Sequence, residues 1–242
     1  MLKMFAMALI GGVVGGTALG AGIGTEHADR LEQCNASMAR PRAVDAPAQA
    51  ELKRMAAAPA VPVPEAVQQV FRRLSAAARL TNVSRKARLV AVDSETPASV
   101  NSSGTVFLSS RLWTGELPLN GDEIAAVIAH ELAHLEEADP HHQLCEAVAA
   151  IRDVGLSSSQ IFARARQAMA GDPQLAIWMI RRNHLRELHA DRRGADLLAA
   201  VGINPGAMAR MLIKITPAGQ GDYSGSHPAI EARIENLTAP LE

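Results

Sequence analysis

Asn120-Gly121-Asp122-Glu123-Ile124-Ala125-Ala126-Val127-Ile128-Ala129-His130-Glu131-Leu132-Ala133-His134 decides how this chain folds. Asn120 with Glu123 three residues on has the form of a capping box, in which each side chain satisfies the other's backbone N–H at a helix start. Ile124, Val127, Ile128, Leu132 and Leu135 then recur at helical spacing, which predicts a helix over Asp122–Glu137 with a buried stripe. Pro140 limits it. The run carries His130-Glu131-Leu132-Ala133-His134, an H-E-x-x-H pattern. Residues four apart on a helix lie on one face, so both imidazoles can reach a single metal ion. Zinc suits the pair, because hydrolytic zinc sites take imidazole nitrogen and three protein ligands. Glu131 lies about 100° round the helix from His130, beside such an ion and not on it. That is the place of a general base for a water.

Two histidines need a third protein ligand. His141, His142, Glu146, His184, Glu187, His189, Asp191 and His227 all follow the motif. Glu187-Leu188-His189-Ala190-Asp191 is the best choice, since its two carboxylates share one helical face. One can bind metal while the other accepts the N–H of a ligating imidazole and fixes its tautomer. His184, one turn earlier on that face, is the runner-up.

Working outward, Val67, Val70, Phe71 and Leu74 mark an amphipathic helix that starts near Pro64. Ala87–Val92 alternates as a strand does, and Val106-Phe107-Leu108 follows the turn-like Asn101-Ser102-Ser103-Gly104. Residues 141–170 read as helical with weak punctuation at Gly155–Ser159. Asp172-Pro173 opens a long helix to about Ala200, which Gly202 closes. Asn204-Pro205 opens a shorter one through Ile215. Gly219–Ser226 is a loop, and Pro228 starts a last helix carrying Ile230, Ile234 and Leu237.

The 242 residues suffice for one good-sized domain with appendages. Apolar content is 48% but aromatic content only 3%, so the core is made of small aliphatic contacts that a bound metal would help to stabilise. A net charge of −1 with no basic block argues against nucleic-acid binding. Cys34 and Cys145 make neither a disulfide scaffold nor a cysteine-rich zinc site. One disulfide in an exported chain and two unrelated thiols are both open.

Met4–Gly24 carries no charge and is long enough to span a membrane. It is crowded with glycine, and Ala18-Leu19-Gly20 offers a small-x-small cleavage site. A cleaved signal and a retained anchor both place the remainder across or at a membrane; a buried N-terminal helix would show a polar face. Residues 26–61 are rich in alanine and proline and read as a linker or strap, with a short helix near Ala48–Ala58. The expected division is therefore 1–25 signal or anchor, 26–61 linker or strap, and 62–242 the zinc-binding domain.

From about residue 65 to 240 the chain resembles the zinc metallopeptidases that include the CAAX prenyl endopeptidase, the bacterial heat-shock protease HtpX and the mitochondrial Oma-type proteases. The likeness rests on Asp122–Ala129 leading into His130–His134, on Glu187–Asp191 followed by Gly194, and on Ser226-His227-Pro228 with Arg233 downstream. Asn101 and Gly104 before Thr105–Ser109 add to it. The resemblance implies a mainly helical α+β fold of gluzincin type, with a small antiparallel sheet beside the H-E-x-x-H helix. It implies one Zn2+ per chain on His130, His134 and Glu187, with Glu131 as base and Asp191 behind the ligands. It further implies that Asn101 lies by a substrate-binding edge strand and that His227 and Arg233 stabilise the transition state. This chain has only its N-terminal stretch in place of several membrane helices, so it is more similar to the exported, periplasmic members.

The expected activity is endoproteolysis of envelope or misfolded proteins, in the periplasm or at the inner membrane of a bacterium, with membrane association through residues 4–24. An extended peptide substrate could pair with the Thr105–Ser109 strand if that strand is an edge. A zinc-containing binding or chaperone-like module with little turnover is the alternative, against which the presence of Glu131 argues. A metal-free helical protein is a third reading.

Overall fold

The computed structural model describes residues 25–38, 61–80, 87–115, 118–151, 156, 158–216 and 227–239. The charge-free stretch before residue 25, the short helix expected near residues 48–58 and the loop at 219–226 lie outside them.

One helix, α4 (Gly121–Glu136), sits at the centre, with helices and strands packed against it. It starts on the capping box: Asn120 Oδ1 accepts from Glu123 N at 3.0 Å, and Glu123 Oε2 accepts from Asn120 N at 2.9 Å. Every residue from Glu123 to Leu135 is buried, not only the aliphatic stripe. That is the behaviour of a helix apolar all round, and here Ala125, Ala126, Ala129 and Ala133 supply the remaining faces.

Before α4 come α1 (Thr25–Met38), α2 (Glu65–Ala77), three strands β1 (Arg88–Val92), β2 (Ala98–Val100) and β3 (Thr105–Ser109), and the single turn α3 (Arg111–Thr114). After it come α5 (Asp139–Ile151), α6 (Ser158–Gly171), α7 (Pro173–Ala200), α8 (Ala207–Ile215) and α9 (Ile230–Thr238). The region 141–170, read as helical with weak punctuation at Gly155–Ser159, lies in two helices, α5 and α6. α7 begins as expected, with Asp172 Oδ1 accepting from Gln174 N and Leu175 N and Pro173 in the first turn. Gly202 follows its end at φ 74°, the left-handed geometry that glycine adopts without a Cβ penalty.

The sheet is mixed, in the order β1-β3-β2. The two strands read from the sequence, β1 and β3, pair parallel and not antiparallel; the antiparallel partner of β3 is β2, on its other side, a short strand that the sequence reading did not identify. β3 is therefore the central strand, and all five of its residues are buried. The condition for a substrate to pair with Thr105–Ser109 is not met; the edge facing outward beyond β3 belongs to β2. Asn101 holds the turn between those two strands. Its Oδ1 accepts from Ser103 N at 3.0 Å and Thr105 N at 3.1 Å, and Gly104 follows at φ 80°.

Val106, Leu108, Ile128, Leu132, Leu197, Leu198, Met208, Met211 and Leu212 form the main core with α2's Leu74. α7 crosses α4 closely at Gly194. A Cβ there would stand 3.1 Å from His130 N and 3.2 Å from the Ala129 carbonyl carbon. Only a residue without a side chain lets the two backbones approach so near.

Within the stretch read as linker or strap, residues 25–38 form α1, which lies on α5. A disulfide joins Cys34 to Cys145, with their Cα atoms 5.4 Å apart. Arg30 Nε donates to Ala149 O at 3.2 Å, and His142 Nδ1 lies 3.2 Å from Asn35 Oδ1. The His27 ring meets Trp178 of α7 edge to face, 5.1 Å between centroids.

Candidate metal centre

The helical spacing of His130 and His134 delivers what it promises. Their Nε2 atoms stand 3.0 Å apart, on the face of α4 that meets α7. α7 brings Glu187 to the same point, with Oε2 3.4 Å from His130 Nε2 and Oε1 3.5 Å from His134 Nε2. Ligand atoms of these three residues all lie within 4.8 Å of one another, and all three residues are buried. Among the described residues no other set of three His, Cys, Asp or Glu converges in this way.

Each imidazole is oriented from behind by its own carboxylate. His130 Nδ1 lies 3.0 Å from Asp191 Oδ1, and His134 Nδ1 lies 2.8 Å from Asp139 Oδ2. With each Nδ1–H given to a carboxylate, both neutral rings turn an Nε2 lone pair toward the same spot. Two lone pairs cannot satisfy each other, and Glu187 adds negative charge beside them. Oε2 of Glu187 is buried and has no well-aligned hydrogen-bond donor among the described residues. A cation is what this arrangement of donors fits, and two imidazoles with one carboxylate is a donor set for zinc.

Electrostatics agree. Burial opposes a charged ring at His130, yet the carboxylates of Asp191 and Glu187 beside it outweigh this and hold the metal-free imidazole up to about 9. At His134 burial is likewise outweighed, by Asp139 and Glu187, and the value is about 10. Burial would raise Glu187, but the two imidazoles hold it well below the usual carboxylate range. The site attracts positive charge, whether protons or metal.

Glu131 is buried on α4 next to the ligands. Burial pushes its carboxyl above the ordinary range, against the pull of His130 and His134. Arg233 of α9 is also buried. Its Nε donates to Asp191 Oδ2 at 2.7 Å and its Nη2 to Asp191 Oδ1 at 2.6 Å, while Nη2 stands 3.3 Å from Glu187 Oε2. The guanidinium thus braces the carboxylate that orients His130. His227, just before α9, is half exposed, with Nε2 3.6 Å from Glu187 Oε2. Burial leads in lowering its pKa, with Arg233, His130 and His134 adding to this against the attraction of Glu187.

Of the expected site residues, His130, Glu131, His134, Glu187, Asp191, His227 and Arg233 come together. His184 is not in the converging set, Glu146 is held by Arg182 and Arg186, and His142 meets Asn35. Asn101 is a turn residue whose Oδ1 is fully used, although its Nδ2 is buried without a hydrogen-bond partner among the described residues. Asp139 is the functional residue that the sequence reading missed. Its only signal was that His134 needs an acceptor for Nδ1 and that an acid stands five residues further on.

No curated protein matches the chain. The family model for Peptidase family M48 matches residues 64–241, a span that takes in β1–β3, both ligand helices and α9. The capped H-E-x-x-H helix, the carboxylate that a second helix brings to it and this match lead to one conclusion: the chain belongs to peptidase family M48, whose members are zinc-dependent metallopeptidases.

Proposed function

We propose that the chain is a zinc metalloendopeptidase acting on envelope or misfolded proteins. The observation that carries this reading is the convergence of His130 Nε2, His134 Nε2 and Glu187 in a buried site, with both Nδ1 atoms committed to carboxylates. His130, His134 and Glu187 would hold one Zn2+, which when bound polarises the scissile carbonyl and acidifies a water.

Glu131 takes the proton of the attacking water and hands it to the leaving amine. Its raised proton affinity brings it nearer to neutral pH, where a base that must also act as an acid is most effective. His227 stands on the exposed rim and donates to the oxyanion as the carbonyl becomes tetrahedral. Arg233 acts one layer back, holding Asp191 against His130. The substrate lies as an added strand along the outer edge of β2, which packs against α4, with Asn101 at the end of that strand.

Two features support a place in the cell envelope. The Cys34–Cys145 disulfide suits an oxidising compartment. The charge-free run Met4–Gly24 would deliver the chain there or tether it. Among the described residues no helix is long and apolar enough to cross a membrane, so attachment falls in this reading to residues 4–24.

Casein hydrolysis by zinc-loaded protein tests the reading, with and without a chelator and beside the Glu131→Gln variant. The expected result is hydrolysis that the chelator abolishes and that Glu131→Gln loses almost entirely while keeping its zinc. Activity above a tenth of wild type in Glu131→Gln would remove Glu131 from its role. Zinc binding without turnover in the wild type would favour the binding-module alternative.

A further inference from the structure

The chain connecting α4 to α5 is bent at a cost. Ala138 has φ 53°, the left-handed region, and among the described residues no other non-glycine residue does. An L-residue with a Cβ holds that conformation at an energetic penalty unless its surroundings impose it. The bend places Asp139, the first residue of α5, behind His134. A carboxylate buried there needs a counter-charge. Arg186 of α7 supplies it, with Nε 3.4 Å from Asp139 Oδ1. Arg186 is itself fixed from two sides, because Nη1 donates to Asn183 Oδ1 at 3.0 Å and Nη2 to the buried Glu146 of α5. Arg182 Nε also donates to Glu146. Charges thus alternate from Asp139 to Arg186, Glu146 and Arg182, all on α5 and α7, and Asp139 is the member that meets His134.

We propose that Asp139 is a positioning residue for the second imidazole, held in register by Arg186 and Glu146. This rests on the zinc site proposed above. Arg186 precedes Glu187 in the chain, so one turn of α7 presents the carboxylate ligand and braces the support of His134. The His134 ring and the Glu187 carboxylate are thereby set relative to each other through protein, before any ion arrives. Carboxylates behind a metal-bound histidine fix its tautomer and raise its basicity, and their loss costs about 10–100-fold in metal affinity.

The test is zinc affinity, read by competition with a chromophoric chelator, for wild type, Asp139→Leu, Asp139→Asn and Arg186→Met. The cobalt absorption spectrum is recorded on the same proteins. Asp139→Leu should weaken zinc by about 10–100-fold and change the cobalt bands, because the ring loses its acceptor. Asp139→Asn keeps an acceptor oxygen and should recover much of that loss. If Asp139→Leu does not fold, the Asn and Arg186→Met variants carry the test, Arg186→Met being expected to weaken zinc by several-fold. Affinities within twofold of wild type and unchanged cobalt bands in the folded variants would overturn the positioning role while leaving the zinc site standing. A wild type that binds no zinc would overturn both. No step of the test depends on peptide hydrolysis.

Discussion

Replacing Arg233 by methionine separates two roles that an arginine beside a zinc site could have. Asp191 is fully buried and receives two hydrogen bonds from the guanidinium, at 2.7 and 2.6 Å. Methionine fills much of the volume but takes the guanidinium away from the buried carboxylate. Stranding one member of a buried ion pair costs about 3–5 kcal/mol, a factor of about 10²–10⁴ in the folded-to-unfolded ratio. The cost has a pH signature. Burial would raise the Asp191 pKa, but Arg233 and His130 hold it below the ordinary value of 3.8. The stabilisation is therefore present above that value and lost as pH falls through the lower folded-state one. Urea unfolding of chelator-treated wild type and Arg233→Met, at neutral pH and again near pH 3, measures both. The expected result is a gap of about 3–5 kcal/mol at neutral pH that closes on acidification. A neutral-pH gap under about 1 kcal/mol, with zinc retained and kcat down a hundredfold, would refute the brace. Arg233 would then be a direct transition-state donor.

His227→Phe should leave folding and zinc content nearly unchanged, because the side chain is 52% exposed. It should lower kcat by about a hundredfold with little change in KM, as loss of one oxyanion donor does; unchanged kcat would remove His227 from the mechanism. In metal-free protein the surrounding carboxylates raise His130 and His134, to about 9 and about 10, so zinc binding at pH 7 should release protons and tighten as pH rises. Calorimetry in buffers of different ionisation enthalpy counts the protons, and no release would refute these values. For the metal-free fold the sign is the reverse. Proton binding by this raised imidazole pair stabilises fully below the ordinary 6.5, and that contribution is lost as pH climbs through 9 to 10. Cys34→Ser should lower thermal stability, since the bond closes a loop across a separation of 111 residues and such loops contribute about 4–5 kcal/mol in the chain-entropy account. An unchanged melting temperature would mean that the rest of α1 holds the helix in place without it.

What was legible in the sequence was local. The capping box of Asn120 and Glu123, the i, i+4 histidines, the Asp172-Pro173 helix start and the Glu187/Asp191 pair each lie within one or two helical turns, where spacing dictates geometry. What was hidden depended on distant partners or on a single dihedral. β3 reads as an apolar run whether it is an edge or a centre, and β1 takes its parallel place only through the connection that includes β2. Asp139 reaches His134 because Ala138 turns left-handed, which no propensity scale favours. α1 looked like part of a linker because its partner, Cys145, lies on the far side of the whole ligand helix. Arg233 was visible as a residue, but its bond to Asp191 required α9 to fold back onto α7.

The Cys34–Cys145 bond also imposes an order of assembly. α1 precedes its partner helix by more than a hundred residues. At ordinary synthesis rates of about 5–20 residues per second, its cysteine waits roughly 5–20 s before Cys145 exists. During that time α1 has no α5 to lie on, and His27 has no Trp178 to meet. The first described helix to be made is therefore among the last to be docked, and its thiol is the one most exposed to capture by a wrong partner. An oxidant that acts on the half-made chain would find Cys34 alone, whereas one that acts after completion would find it already beside Cys145. The yield of correctly linked protein should then depend on when oxidation begins, with late oxidation the more forgiving.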